Sequence, residues 1–467
     1  MTPDLWVVQA KDALAEGLAQ GLERARRRSA PVLVSLAQPV SAGGGPLAVF
    51  GARRRFESYA AFWARPDQSF WLVGIGSAIV MARDGASLKD GVDEEFRSLL
   101  DSAVIRAPAR RGIGPIFMGG FRYDPQAPRD AIWRGFPDAL LALPRFLFTW
   151  SEGATWLTIN IIVSPEADAT ALAEATIAQM RFLEAEPFAE SSQLGLDRQC
   201  QSSPGEWTHW VRQALQAIEA GHLTKVVLAR RKALHSQGSF SLDGALGYLI
   251  KSYPSCAVFA MDSGEASFVG ATPEALVRVE DGKVSLRCLA GSAARGASPE
   301  EDRELQRLLL ESPKERLEHS TVVAMVAEAL NGMCHDLRWD NEPHVIKLKT
   351  VQHMATSFTG CLNGGGGILQ LVRLLHPTPA VGGAPKDKAL DMIRDLEGDR
   401  GWYAAPVGWL DHNGEGEFSV AIRSALLRGN EATLFAGSGI VSGSDPVQEY
   451  QETELKFQPL LAALTGG

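Results

Sequence analysis

Near the C-terminus an apolar stretch, Leu434 to Val441, carries Gly437-Ser438-Gly439 at its centre, and a helical pattern opens directly after it at Ser444-Asp445-Pro446. Asp445 or Ser444 can cap that helix and Pro446 can begin it. This predicts a strand, a glycine turn and a helix whose free N–H groups form a seat for an anion. Down the helix, Glu449, Glu452 and Lys456 fall at i, i+3 and i+7, on one face. Two carboxylates and an ammonium so placed can hold a divalent cation beside a carboxylate ligand, although a solvated, charge-paired surface helix carries the same pattern. A second E-x-x-E, Glu315 and Glu318, on another predicted helix in the same half of the chain argues for a shared site.

The 467 residues suffice for a large core, and a net charge of -9 with both signs mixed throughout offers no basic face to nucleic acid or an anionic membrane. Any binding chemistry is therefore local. Five dispersed cysteines, with no C-x-x-C, indicate neither a disulfide framework nor a zinc site. With no run of eighteen apolar residues and no basic-then-apolar leader, a soluble cytoplasmic protein is expected.

Taken in order, residues 1–200 read as sheet-rich with helices upon it and no nucleotide-binding glycine motif. The polar segment Glu190–Gly205 is the expected boundary with a second region, 201–467. There, Lys225 begins the otherwise apolar run Val226–Ala229; it either snorkels to the surface or lies desolvated with a lowered pKa, the state a general base requires. Glu274, after Thr272-Pro273, is an ordinary N-terminal helix carboxylate or a partly buried acid. Glu315 and Glu318 lie one turn apart on a long helix, and four glutamates from two helices suffice for magnesium without histidine or cysteine. His319 and His353 read as hydrogen-bonded structural or substrate-contacting side chains, and Ile346–His353 as a strand. His376–Lys386 is a rigid Pro/Gly loop. A hairpin, Gly408–Asp411 with Glu417–Arg423, presents Arg423, whose fork suits a carboxylate.

These segments occur in one order: the Lys225 strand, Gly270-Ala271-Thr272-Pro273-Glu274, Leu289-Ala290-Gly291-Ser292, the Glu315/Glu318 helix, His376-Pro377-Thr378-Pro379-Ala380, Gly401 to Gly408, Val420-Ala421-Ile422-Arg423, and the C-terminal Gly-Ser-Gly with E-x-x-E-x-x-x-K. Together they resemble the chorismate-utilising enzymes, which include isochorismate, anthranilate, aminodeoxychorismate and salicylate synthases. The resemblance covers roughly residues 200–467 and is carried by many spaced motifs. It implies a single large α/β (α+β) fold: two sheet-containing halves around a deep central cleft, helices outside, and magnesium bridging the substrate to the acidic helices.

Within that family, aminating members and salicylate synthases usually carry threonine at the position of Ala380, whereas isochorismate synthases have alanine. Many aminodeoxychorismate synthases carry a nucleophilic lysine where Ala290 stands. The resemblance thus implies an isochorismate synthase acting on chorismate, as monomer or homodimer, with a salicylate-forming or aminating member and a silent metabolite-binding protein as alternatives. In this reading Lys225 is the base that activates water for attack at C2 and Glu274 the acid that protonates the departing C4 hydroxyl. Glu315, Glu318, Glu449 and Glu452 hold Mg2+, and His376, Ala380, Tyr403, Arg423, Ser438, Gly439 and Lys456 contact substrate. Whether the product enters menaquinone, siderophore or salicylate synthesis is left open.

Overall fold

The computed structural model describes residues 3–466 except 42, 57, 86–91, 184–195, 201–202, 348–350 and 365. Half of the polar segment expected as a boundary, residues 190–195 and 201–202, lies outside the described residues. The fold is mixed α/β, with eleven α-helices and twenty-one strands among the described residues. The strands join in one hydrogen-bonded network, antiparallel throughout the described pairings except for Val32–Pro39 beside Val104–Arg106.

The network divides at the long strand Ala139–Ser151. Its first part pairs on one edge with Phe70–Arg83 and on the other with Ile116–Phe121. From Phe70–Arg83 one sheet continues through Ala60–Arg65, Ala257–Asp262, Ser267–Thr272, Ser424–Arg428 and Glu431–Ile440 to Lys225–Ser236. From Ile116–Phe121 the other continues through Pro406–Asp411, Gly416–Val420, Ala275–Glu280 and Lys283–Ala294 to Val351–Leu362. Segments from either side of residue 200 therefore share both sheets.

Side chains alternate across a strand, and the first sheet uses both faces. Ala257, Phe259 and Met261 join a core that includes Phe117, Val277 and Phe418 of the other sheet. Val258 and Ala260 face a second core with Leu14, Leu249 and Leu460 from three covering helices. A sheet packed on both sides explains why its strands read as nearly continuous apolar runs.

Two helices bound the cleft, and both begin as their sequences dictate. Pro313–Asn331 is capped by Ser312, whose hydroxyl accepts from Glu315 N at 3.3 Å, with Pro313 in its first turn. Pro446–Thr465 is capped by Asp445, which accepts from the amides of Val447 and Gln448, each at 3.0 Å. Those amides serve the helix's own cap, and the expected anion seat is not formed by them. The run Ile346–His353, expected as one strand, divides between His344–Lys347 and Val351–Leu362, which pair antiparallel with Lys347 opposite Gln352.

Candidate active site

A cavity of about 910 Å³, partly open to solvent, is lined by Lys314, Glu315, Glu318, Glu449, Glu452 and Lys456 on the helix side. Glu274, Ala290, His353, Ala380, Tyr403, Arg423 and Gly439 line it on the strand side.

Lys225 opens the strand Lys225–Ser236 and is buried, 3 % exposed. Burial was one of the two expected placements, but the side chain does not lie there alone: Nζ donates to Glu318 Oε1 at 2.7 Å. The neighbouring strand, Glu431–Ile440, runs unbroken through Gly437-Ser438-Gly439, with Gly439 opposite Val227. The glycine turn expected here is therefore strand. Its glycines serve close approach: a Cβ on Gly439 would lie 3.1 Å from Lys225 Cε and 3.3 Å from Glu318 Oε1, so a side chain would press on the Lys225–Glu318 pair.

The four glutamates from the two helices reach the same cavity, as the helical spacing requires. Glu315 accepts from Ser292 N at 3.2 Å, an approach possible because Gly291 has φ 79° and no side chain; a Cβ there would stand 2.7 Å from Met354 Cε. Glu449 accepts from Ser438 Oγ at 2.5 Å, and Glu452 pairs with Lys456, which also donates to Gly437 O at 2.8 Å. Lys314, which sequence reasoning passed over, stands between the helices, 3.8 Å from Glu315 and 3.7 Å from Glu449. Burial, and then mutual repulsion with Glu318 and Glu452 respectively, raises the pKa of Glu315 and Glu449. Burial also pushes Glu452 upward, but Lys456 outweighs it and leaves that carboxyl below its ordinary value. Ser438 does not line the cavity; its place is behind Glu449.

Glu274 sits between two strands, its amide bonded to Thr272 Oγ1 at 3.2 Å and its carbonyl accepting from Val420 N at 3.0 Å. It is the partly buried acid of the two expected readings. Burial raises its carboxyl to about 7, against the opposing pull of Lys225, Arg423 and Lys456. Arg423 follows the hairpin's second strand at a left-handed bend, φ 50°, and is buried. Among the described residues no hydrogen-bond or ion-pair partner lies against its guanidinium, and burial lowers its pKa. A buried fork that feels the charge of Glu452 but has no carboxylate bonded to it among the described residues, beside an open cavity, is suited to a carboxylate brought by a ligand. Tyr403 stacks on Phe435 with ring centroids 5.1 Å apart, near Gly437. His353 accepts or donates at Ser292 Oγ, 2.7 Å away, and burial beside Arg423 and Lys456 depresses it to about 3, so the ring is neutral at physiological pH. His319, bonded to Ala290 O and Thr356 Oγ1, supports the cavity wall.

The loop from His376 brings Ala380 and Val381 to the cavity, but not His376 itself. That imidazole is buried against the Tyr123 carbonyl at 3.3 Å and is depressed to about 3 by burial, so its place is structural. Its signal in the sequence, a histidine before Pro377, spoke for the loop and not for the ligand.

The chorismate binding enzyme family profile matches residues 20–465. The chain belongs to the chorismate-binding enzyme family. Among curated relatives, isochorismate synthase MenF of Bacillus subtilis is 34% identical over 95% of this chain and 96% of its own length. The salicylate biosynthesis isochorismate synthase of Pseudomonas aeruginosa is 37% identical over 97% of this chain and 93% of its own. The solved structure of MenF, the menaquinone-specific isochorismate synthase of Escherichia coli, is 25% identical and superposes with a TM-score of 0.79 over 96% of this chain and 100% of that one.

In this chorismate-binding enzyme the helix wall has the donor chemistry of a magnesium site: only carboxylate oxygens, on two helices, with room for water. Among the described residues no three His, Cys, Asp or Glu side chains are clustered as a finished coordination sphere. Glu318 and Glu452 are instead engaged by Lys225 and Lys456. The residues fit the ion by type, and side-chain rotation would have to bring the oxygens together. No helix among the described residues is long and apolar enough to cross a membrane.

Proposed function

We propose that this chorismate-binding enzyme is an isochorismate synthase, converting chorismate to isochorismate by adding water at C2 as the C4 hydroxyl departs. The observation that carries the reading is one cavity lined by a carboxyl at about 7 on Glu274, by Glu318, to which the buried Lys225 donates from outside the lining, and by an Arg423 guanidinium with no bonded partner among the described residues. A base, an acid able to hold its proton near neutrality and an anion clamp are what a dicarboxylate undergoing hydroxyl exchange requires. The names of its relatives point the same way.

Arg423 and Lys456 orient the substrate carboxylates, and Tyr403 closes the adjoining wall. Lys225 takes the proton of the attacking water, for which its bond to Glu318 must open and the amine must enter unprotonated. Glu274 gives its proton to the C4 oxygen, which leaves as water while the ring double bonds shift. Exchange with solvent then restores both groups. Glu315, Glu318, Glu449 and Glu452 would hold magnesium, which supplies positive charge against the substrate carboxylate. Ala380 leaves its side of the cavity small and without a hydrogen-bonding group, in keeping with water as nucleophile. The product would supply menaquinone, siderophore or salicylate biosynthesis, in the cytoplasm.

The test is incubation of the purified protein with chorismate and magnesium, with EDTA as control and ammonium added in parallel, followed by chromatographic separation. Isochorismate formed only with magnesium supports the reading. Salicylate with pyruvate, or a nitrogen-containing product, overturns it.

A further inference from the structure

Behind the reacting groups, one side chain joins three pieces of backbone that the chain order keeps far apart. Arg400 is 4 % exposed and lies just after the helix Lys386–Glu397. Its Nε and Nη2 donate to Glu397 Oε2 and Oε1, both at 2.7 Å. Nη2 also donates to Val227 O at 2.7 Å, and Nη1 to Val381 O at 2.8 Å. Four bonds thus engage a guanidinium that has five N–H groups, so that Arg400, although it lines the cavity, is committed chiefly to the protein's own backbone and to Glu397. Glu397 completes the link by accepting from Ala229 N at 2.7 Å, and Tyr123 Oη supports Val381 O from the other side at 3.1 Å.

The two carbonyls are not arbitrary. Val227 stands two residues from Lys225 on the same strand, so both side chains project to one face, and Val227 lines the cavity. Val381 is the neighbour of Ala380 and also lines the cavity. The same seam is stitched by backbone bonds, Val227 N to Gly382 O at 2.7 Å and Thr224 N to Ala384 O at 2.8 Å. We propose that Arg400 is a positioning residue that, through the Val227 and Val381 carbonyls, sets the separation between the Lys225 strand and the Ala380 loop, and is thereby required for the chemical step more than for substrate capture. The groups assigned to substrate capture, Arg423 and Lys456, lie on other segments and make no bond to Arg400 in the described residues.

The inference rests on the isochorismate synthase reading for the identity of the product, but its test is read on chorismate consumption. Arg400→Lys keeps the charge and loses the fork, since one ammonium cannot reach two carbonyls and a bidentate carboxylate at once. Because displacement of reacting groups by about 1 Å can cost roughly 10²-fold, kcat is expected to fall by about that factor with KM within about threefold of wild type. Glu397→Gln, which keeps one acceptor oxygen for Arg400 but loses the second and the charge pair, is expected to give a smaller fall of the same kind and serves if the lysine variant does not fold. Circular dichroism and active-site titration correct each rate for folded protein. A folded variant with unchanged kcat, or with KM rising in step as kcat falls, overturns the positioning role. The wild-type product is identified in the same runs: a product other than isochorismate overturns the functional reading alone, and a wild type that leaves chorismate unchanged overturns both.

Discussion

The two walls of the cavity are built differently. On the strand wall, Glu274, Tyr403 and Arg423 rise from backbone fixed by ladders or tight bends, as does Lys225, which lies outside the lining but bonds to Glu318, and none is more than 8 % exposed. On the helix wall the side-chain exposures run from 6 % for Glu449 and 13 % for Glu318 to 18 % for Glu315 and 33 % for Glu452, and Lys314 beside them is 41 % exposed. Backbone places the first set, with Lys225 also bonded to Glu318; ammonium–carboxylate pairs and the Ser438 hydroxyl hold the second. The groups assigned to bond making and breaking are therefore held rigidly, while those assigned to the cation keep the freedom to change partners.

The contrast is broken most directly by Lys225→Ala. Removal of a general base typically costs about 10²- to 10⁴-fold, so turnover should collapse while chorismate binding in the presence of magnesium, measured by calorimetry, persists. A near-normal rate would leave the strand wall without its chemistry. Next is Glu318→Gln on the other wall, where the loss should appear in the metal titration. Loss of a ligand should weaken magnesium by no less than the roughly 10- to 100-fold that loss of an outer supporting group costs, with part of the rate regained at high magnesium. An unaltered titration would remove Glu318 from the cation site.

A smaller effect comes from pH. Glu274 carries its proton below about 7 because burial raises it, and it acts as an acid. The alkaline limb of kcat should therefore decline by about tenfold per unit above that point, and Glu274→Gln should abolish this limb along with most of the rate. A limb that survives in the variant belongs to another group. Smallest of all is Ser438→Ala. Glu449 loses one hydrogen bond, worth roughly 1 kcal/mol, and a several-fold shift in magnesium affinity is expected. A shift as large as that of Glu318→Gln would mean that the helix wall is as rigidly specified as the strand wall.

What the sequence discloses follows the range of the forces involved. The face formed by Glu449, Glu452 and Lys456, the cap at Asp445 and the apolar run after Lys225 depend on neighbours within one or two turns, and all appear where their spacing places them. Gly437 to Gly439 looked like a turn because glycine lacks the side chain that signals a strand. Its strand state depends on pairing with residues 227–229, some two hundred positions earlier. Lys225 was legible as buried but not as paired, since Glu318 arrives from a distant helix. Arg400 escaped notice altogether: two of its acceptors are carbonyls, which have no residue-type signature, and only Glu397 is near in sequence. The loop residues His376 and Ala380 carried equal weight as a motif, and only packing separates the one that supports from the one that faces the cavity.

The branching strand Ala139–Ser151 also governs the order in which the protein can be assembled at the ribosome. When it emerges, Ala60–Arg65 still lacks its partner Ala257–Asp262, and Ile116–Phe121 must wait for Pro406–Asp411. Nascent chains thus carry open sheet edges through most of their synthesis, a state that invites pairing with other chains. Translation that stalls before residue 406 is expected to yield chains that depend on chaperones to stay in solution, a dependence that sedimentation of arrested chains would reveal. The catalytic cleft, walled on one side by Glu449, Glu452 and Lys456, closes only when the C-terminal helix Pro446–Thr465 has arrived.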